Sequence, residues 1–252
     1  MITFATSTFF VLVVAIITSS FQLKAKDVNL AVGQIKLPYI YNDFKTGYQL
    51  ELVDAVLKKA GHRAFYTPTE HARNEKLLLN TNLDGVMNID RNISHTNSYL
   101  SDSYFTFHNV AVSLKSKSIS VKTIENLANY DVVSFSHARR YFNNSYREAV
   151  GKAPLYVEVS CLSSELKLIL AGRADVLIMD YFIFAELIKE MSLDIDEFHV
   201  EAIFEPTDVH ILFKEEAIQE DFDRELYEFL QSENYLNLRQ KYLGNNSLFT
   251  FK

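Results

Sequence analysis

Two stretches of this chain repeat one pattern, and the repetition limits the architectures open to it. The first is Leu77-Leu78-Leu79-Asn80-Thr81-Asn82-Leu83-Asp84-Gly85-Val86-Met87. The second is Leu166-Lys167-Leu168-Ile169-Leu170-Ala171-Gly172-Arg173-Ala174-Asp175-Val176-Leu177-Ile178-Met179-Asp180. Each reads as the end of an apolar helix, a polar turn, an acidic residue and a short buried strand. Two copies of helix–turn–Asp–strand predict two similar α/β lobes. Paired lobes enclose a cleft, and clefts between domains are common small-molecule sites.

The 252 residues suffice for one large domain or two smaller ones. A net charge of −7 with 48% hydrophobic residues describes a folded chain without the basic excess of a nucleic-acid binder. Cys161 is the only cysteine, which excludes an intrachain disulfide and a cysteine metal cluster; it reads as a buried free thiol. The seven histidines lack zinc-site spacing, so neither a metal nor a cofactor is expected.

Phe9 to Ile17 is an unbroken apolar run followed by Thr18-Ser19-Ser20. It is shorter than the roughly 20 residues of a spanning helix and fits the apolar core of a secretory signal. Residues 1–25 are therefore expected to be removed after Ala25, although no Lys or Arg precedes the run. A retained anchor and a buried first strand are the alternatives.

Strand and helix patterns alternate along the rest. Asp27 to Val32 reads as a strand, and Leu50, Val53, Val56, Leu57 and Ala60 recur at helical spacing up to Gly61. Arg73 to Asn80 reads as a second helix, Val86 to Ile89 as a strand, and Tyr104 to Leu114 as a longer strand. In the second half Asp131 to Phe135 and Leu155 to Val159 read as strands, with Arg139 to Val150 a helix between them. Helix Ser163–Ala171, strand Val176–Met179 and helix Phe182–Met191 follow. Glu201 to Glu205 and Val209 to Phe213 read as strands around Pro206, and two amphipathic helices close the chain.

Several of these segments, in order, resemble the bacterial extracellular solute-binding proteins of family 3, the periplasmic amino-acid-binding proteins of ABC importers. Pro38-Tyr39-Ile40-Tyr41 is similar to that family's first aromatic loop, and Gly47-Tyr48-Gln49-Leu50-Glu51-Leu52 to its Gly-Phe-x-x-Asp-Leu helix start. Leu79 to Asp84, Ser101-Asp102-Ser103-Tyr104, Ala171 to Asp180 and Tyr235 to Gly244 match four further segments. The resemblance implies a type II periplasmic-binding fold: two α/β lobes, joined by two crossovers, that close on a ligand like a hinged clamp. The first lobe would combine residues 26–112 and 207–252, the second residues 113–206, with crossovers near Val112–Lys115 and Glu205–Asp208. It also implies a monomer in the periplasm that hands a small polar solute, an amino acid or a related compound, to an inner-membrane permease.

An amino-acid ligand presents an ammonium and a carboxylate, both costly to desolvate unless paired. Asp180 directly follows the apolar strand Val176–Met179, at the strand end where open α/β sheets bind ligands. It falls on the family's ligand-binding Asp; the competing reading is an N-cap for the helix from Phe182. The family's carboxylate-binding Arg falls on Ser94 in this chain. Arg91, after the strand Val86–Ile89, and Arg73 are the available replacements, since the guanidinium fork suits a carboxylate. Tyr39, Tyr41 and Tyr48 are candidate aromatic walls, and His71 falls where relatives carry an aromatic residue. Ser136 and Arg139 lie in the Ser134-Phe135-Ser136-His137-Ala138-Arg139 turn, where relatives bind the carboxylate with a Gly-Ser or Gly-Thr turn. That turn has no Gly here.

Two other functions share the implied fold. One is a ligand-sensing module that presents a solute to a separate membrane receptor. The other is a dehydratase acting on cyclic precursors of aromatic amino acids. Glu70, His71 and His137 are available for such acid chemistry, but nothing marks them as a matched pair.

Overall fold

A computed structural model describes residues 25–69, 75–79, 82–91 and 96–244. The expected signal segment and the candidates Arg73, His71 and Ser94 lie outside the described residues.

The chain forms two sheets. The first contains β1 (Asp27–Val32), β2 (Arg63–Pro68), β3 (Gly85–Ile89), β4 (Tyr99–Leu100), β5 (Phe105–Phe107) and β11 (Thr207–Phe213). Its order is β2-β1-β3-β11-β4, with β5 also paired to β11. The second contains β6 (Asn109–Leu114), β7 (Val132–Phe135), β8 (Tyr156–Val159), β9 (Val176–Asp180) and β10 (Phe198–Glu201), in the order β10-β6-β9-β7-β8. Each sheet thus has three parallel strands with the first in chain order at the centre (β2-β1-β3 and β8-β7-β9), extended by an antiparallel strand.

The two repeated stretches do the same structural work. Asp84 precedes β3; its Oδ2 accepts the Asn29 N–H of neighbouring β1 at 2.9 Å, and its Oδ1 pairs with Lys26 Nζ at 2.7 Å. Asp175 precedes β9; its Oδ2 accepts the Asp131 N–H at the start of β7 at 3.2 Å, and its Oδ1 pairs with Lys117 Nζ at 2.7 Å. In each copy the carboxylate satisfies a backbone donor of the central parallel strand that the sheet ladder leaves open.

Helix α1 (Tyr48–Lys59) covers the first sheet with Leu50, Val53, Val56 and Leu57, all fully buried. Each such burial contributes about 1.5–3 kcal/mol. The helix starts after Gly47, whose φ of 121° suits glycine, and a Cβ there would lie 2.3 Å from the Tyr39 carbonyl oxygen. Helices α6 (Glu216–Leu230) and α7 (Glu233–Leu243) pack on α1, tied to it by Lys59–Glu225 at 3.4 Å and Lys241–Glu51 at 2.8 Å. On the second sheet lie α2 (Ala138–Tyr141), α3 (Asn144–Lys152), α4 (Leu162–Leu170) and α5 (Tyr181–Glu190). One apolar core runs through both units, from Leu30 and Val53 through Tyr39, Phe105 and Phe107 to Val110, Val133 and Leu177.

Several boundaries differ from the sequence pattern. The apolar run from Tyr104 to Leu114 is two strands, because Phe107 pairs with Thr207 of β11 whereas Asn109 pairs with Asp180 of β9. The chain therefore changes sheet at His108, earlier than Val112–Lys115. It returns between β10 and β11, and β10 ends at Glu201 where the pattern has a strand begin. The expected helix Arg139–Val150 is broken at Phe142, which is extended, and Asn143 caps a new start by accepting the Tyr146 N–H at 3.1 Å. Glu75–Leu79 is a 3₁₀ segment. Cys161 is exposed, not buried: it is the N-cap of α4, beyond the end of β8, where the side chain leaves the packed layer.

Candidate ligand-binding cleft

The two sheets meet at the C-terminal ends of their parallel strands, and Asp180 lies at that meeting. It ends β9 and caps α5, its Oδ1 accepting the N–H groups of Phe182 at 3.1 Å and Ile183 at 3.3 Å. Its Oδ2 accepts the N–H of His108, the residue at which the chain changes sheet, at 2.8 Å. Its fourth donor comes from the other sheet: the Tyr39 hydroxyl, in the loop after β1, donates to Oδ1 at 2.5 Å. Tyr39 is fully buried and Asp180 is 4% exposed. Burial raises the Asp180 carboxyl above its usual range, opposed by the Tyr39, His108 and Ile183 hydrogen bonds and by the charge of Lys36. Burial, and then the Asp180 charge, hold the Tyr39 phenol far above its ordinary value, so it remains the donor.

Aromatic rings support this contact. Tyr39 packs edge-on against Phe105 at 4.7 Å and Phe107 at 5.6 Å, and Tyr48 against Phe105 at 5.8 Å. Lys36 Nζ sits 4.9 Å from the centre of the Phe107 ring. Burial lowers the His108 imidazole, which favours its neutral form.

On the first sheet, a polar chain lies behind the end of β3. Tyr104 donates to Asn88 Oδ1 at 3.1 Å, and Asn88 Nδ2 donates to Gln49 Oε1 at 3.2 Å. Asn88 has a φ of 61°, in the left-handed region. The Gln49 Nε2 is buried without a hydrogen-bond partner among the described residues. Beside this, a groove of about 470 Å³ opens at the ends of β1 and β2, lined by Gly33, Gln34, Ile35, Phe44, Pro68 and Thr69.

On the second sheet, Ser134 of β7 pairs with Ile178 of β9, and β7 ends at Phe135, just before Ser136. Ser136 is half-buried and donates its N–H to Val159 at 3.0 Å. Arg139 is exposed, with its guanidinium 4.5 Å from the centre of the Tyr156 ring. The carboxylate of Glu158 accepts the N–H groups of His137 and Arg139 in this turn.

Of the expected site residues, Tyr39 and Asp180 are in direct contact, while Ser136 and Arg139 lie in the turn after β7. Tyr41 is half-buried and faces Tyr242, ring centres 6.0 Å apart. Arg91 is exposed past the end of β3. Sequence reasoning missed Glu158, His108, Lys36 and the Gln49–Asn88–Tyr104 chain. The only local signal was the missing glycine in the Ser136–Arg139 turn, where His137 adopts a φ of 67°. Among the described residues no group of three or more His, Cys, Asp or Glu could hold a metal ion. No described helix is long and apolar enough to cross a membrane.

No family model and no curated protein matches this chain. Solved structures do. The substrate-binding protein of an ABC uptake transporter from Streptococcus pneumoniae, with bound histidine, is similar with a TM-score of 0.65 at 16% identity, over 87% of this chain and 93% of that one. An ancestral amino-acid-binding protein, a precursor of cyclohexadienyl dehydratase, gives 0.66 at 17% identity, over 86% and 95%. A histidine kinase sensor domain with similarity to periplasmic binding proteins gives 0.69 at 15% identity, over 86% and 96%. These likenesses establish the fold as the two-lobed α/β type II periplasmic-binding architecture.

Proposed function

We propose that this protein is a solute-binding protein that captures a small polar, amine-bearing solute between its lobes and delivers it to the permease of an ABC importer. The observation that carries this reading is Asp180, a buried carboxylate at a strand end of one sheet, held by a phenol from the other. An ammonium group that displaces the Tyr39 hydroxyl meets an acceptor already oriented by three backbone N–H groups. Such preorganisation favours binding, and a solute touching both lobes shifts the population toward a closed state. An ancestral arginine-binding protein bound to arginine and a substrate-binding protein with bound histidine, both similar in structure, support this class of solute.

In this reading the first lobe joins both ends of the chain and the second holds its middle. Residues 1–25 act as a removable signal, and the protein works as a periplasmic monomer. The proposed role is binding without turnover, so prephenate and arogenate should pass through unchanged. The likeness to a kinase sensor domain favours one second reading, presentation of the solute to a membrane receptor. A thermal-shift screen of amino acids, amines, small peptides and organic acids tests the proposal. A ligand at 100 times its Kd should stabilise by about 2.7 kcal/mol; a screen in which no solute shifts the melting temperature rejects it.

A further inference from the structure

The loop that brings Tyr39 to Asp180 also carries a cation. Lys36 lies between β1 and Tyr39, and the chain folds tightly there. The Lys36 N–H donates to the Ile40 carbonyl at 2.9 Å, and the Lys36 carbonyl accepts the N–H groups of Tyr39 at 2.8 Å and Ile40 at 2.9 Å. The turn that presents the Tyr39 hydroxyl to Asp180 therefore fixes the Lys36 backbone as well. The half-buried side chain places Nζ 4.9 Å from the centre of the Phe107 ring. Phe107 packs edge-on against Tyr39 at 5.6 Å, and the residue after it, His108, donates its N–H to Asp180 at 2.8 Å. An ammonium beside the first sheet and a carboxylate on the second thus flank one aromatic pair. The Lys36 charge is felt at Asp180, where it favours the ionised form.

We propose that Lys36 recognises the carboxylate of the solute, so that Lys36 and Asp180 together select α-amino acids over amines that lack a carboxylate. The inference rests on the solute-binding reading above and deepens it by naming the second anchor and the ligand class. A solute ammonium at Asp180 is repelled by Lys36, a like charge held nearby. In a simple amine that repulsion stands, and it is an element of the kind that creates specificity. In an amino acid the carboxylate, one carbon from the ammonium, turns it into attraction. The Lys36 ammonium is a compact charge on a flexible stem, so it can leave the Phe107 ring to meet a carboxylate. A half-buried pair is also screened less by salt than one on the open surface.

Matched probes test it: histidine with histamine and histidinamide, arginine with agmatine and argininamide, leucine with isoamylamine and leucinamide. Each is titrated calorimetrically into the wild-type protein and into Lys36→Met and Lys36→Arg, with folding of each variant checked by circular dichroism. The wild type should bind at least one amino acid ten-fold or more tighter than its amine and its amide. Lys36→Met should narrow that ratio at least ten-fold, with weaker binding of the amino acid and tighter binding of the amine, and Lys36→Arg should keep the preference. An amine or amide that binds the wild type as tightly as its parent amino acid overturns the inference while leaving solute capture intact, as does an unchanged ratio in folded Lys36→Met. A wild-type readout serves where a variant fails to fold. A saturating amino acid should slow acetylation of Lys36 by acetic anhydride, followed by peptide mass spectrometry, and an unchanged rate overturns the assignment. If the amino acids fail to bind while another solute does, the ligand class is wrong. If no solute binds at all, the underlying reading falls as well.

Discussion

Replacing Tyr39 with Phe should weaken the fold and tighten solute binding, and the opposite signs are the test. The substitution removes one hydrogen bond, the 2.5 Å contact to Asp180 Oδ1, and leaves the rings of Phe105 and Phe107 in place. Asp180 retains the N–H groups of His108, Phe182 and Ile183, so its charge is not stranded. The loss should therefore be that of one hydrogen bond to a charged group, about 1.5–3 kcal/mol. Asp180→Asn sets an amide N–H₂ against at least one of those donors and should cost more, about 3–5 kcal/mol. The double variant should be less destabilised than the sum by about 1–2 kcal/mol, because both changes remove the same contact. Urea unfolding midpoints at constant m-value measure all three. If the phenol competes with a ligand ammonium for Asp180, Tyr39→Phe should also bind an amine about ten-fold or more tightly, since 1.4 kcal/mol is a factor of ten. A Tyr39→Phe protein within 0.5 kcal/mol of wild type would refute the contact; weaker amine binding by that variant would refute the competition.

Three further outcomes follow from other sites. Glu165 is fully buried without a hydrogen-bond partner for either oxygen among the described residues, and burial, with the nearby Cys161, pushes its carboxyl up to about 9. The folded state holds this proton more tightly than the unfolded chain, so stability is highest below about 4.5 and falls as pH rises toward about 9. Its contribution approaches about 1.4 kcal/mol per pH unit within that window, and Glu165→Gln should flatten urea midpoints measured at acidic, neutral and alkaline pH. The exposed Cys161 thiol is pushed down to about 7 by the hydroxyls of Ser163 and Ser164 and the Ser164 N–H, so iodoacetamide labelling should be half-maximal near that pH. Ser163→Ala should move the midpoint toward about 8.5, the value of a free cysteine. Gly47→Ala should destabilise by more than about 1 kcal/mol in thermal melts, because a Cβ there meets the Tyr39 carbonyl and α1 cannot start unchanged.

The paired lobes were legible because both copies of the repeat keep an apolar helix face, an acid and a buried strand in one order. Asp84 and Asp175 each anchor the neighbouring strand, so the same chemistry recurs at the same place. The change of sheet at His108 was not legible. Phe105, Phe107, Val110 and Val112 are all buried and read as one strand, and only their pairing partners differ. Asp180 was legible as a strand-end acid, and its cap role is visible in the bonds to Phe182 and Ile183. Its bond to Tyr39 joins residues distant in sequence, which local pattern does not reveal. Glu158 was hidden for a similar reason: it sits on a strand and acts on the turn after the neighbouring strand. Cys161 departed from the usual burial of free cysteines because a helix N-cap at a sheet edge points its side chain outward.

Calorimetric titration of the solute found by screening, into wild type and into Asp180→Asn, tests the central claim most directly. Losing one partner of a buried charged contact costs about 2–5 kcal/mol. The account predicts one binding site per chain and a Kd weakened roughly 30-fold or more in Asp180→Asn, with the circular dichroism spectrum unchanged. Equal affinity in the two folded proteins would contradict it and leave Asp180 as a helix cap bonded to Tyr39.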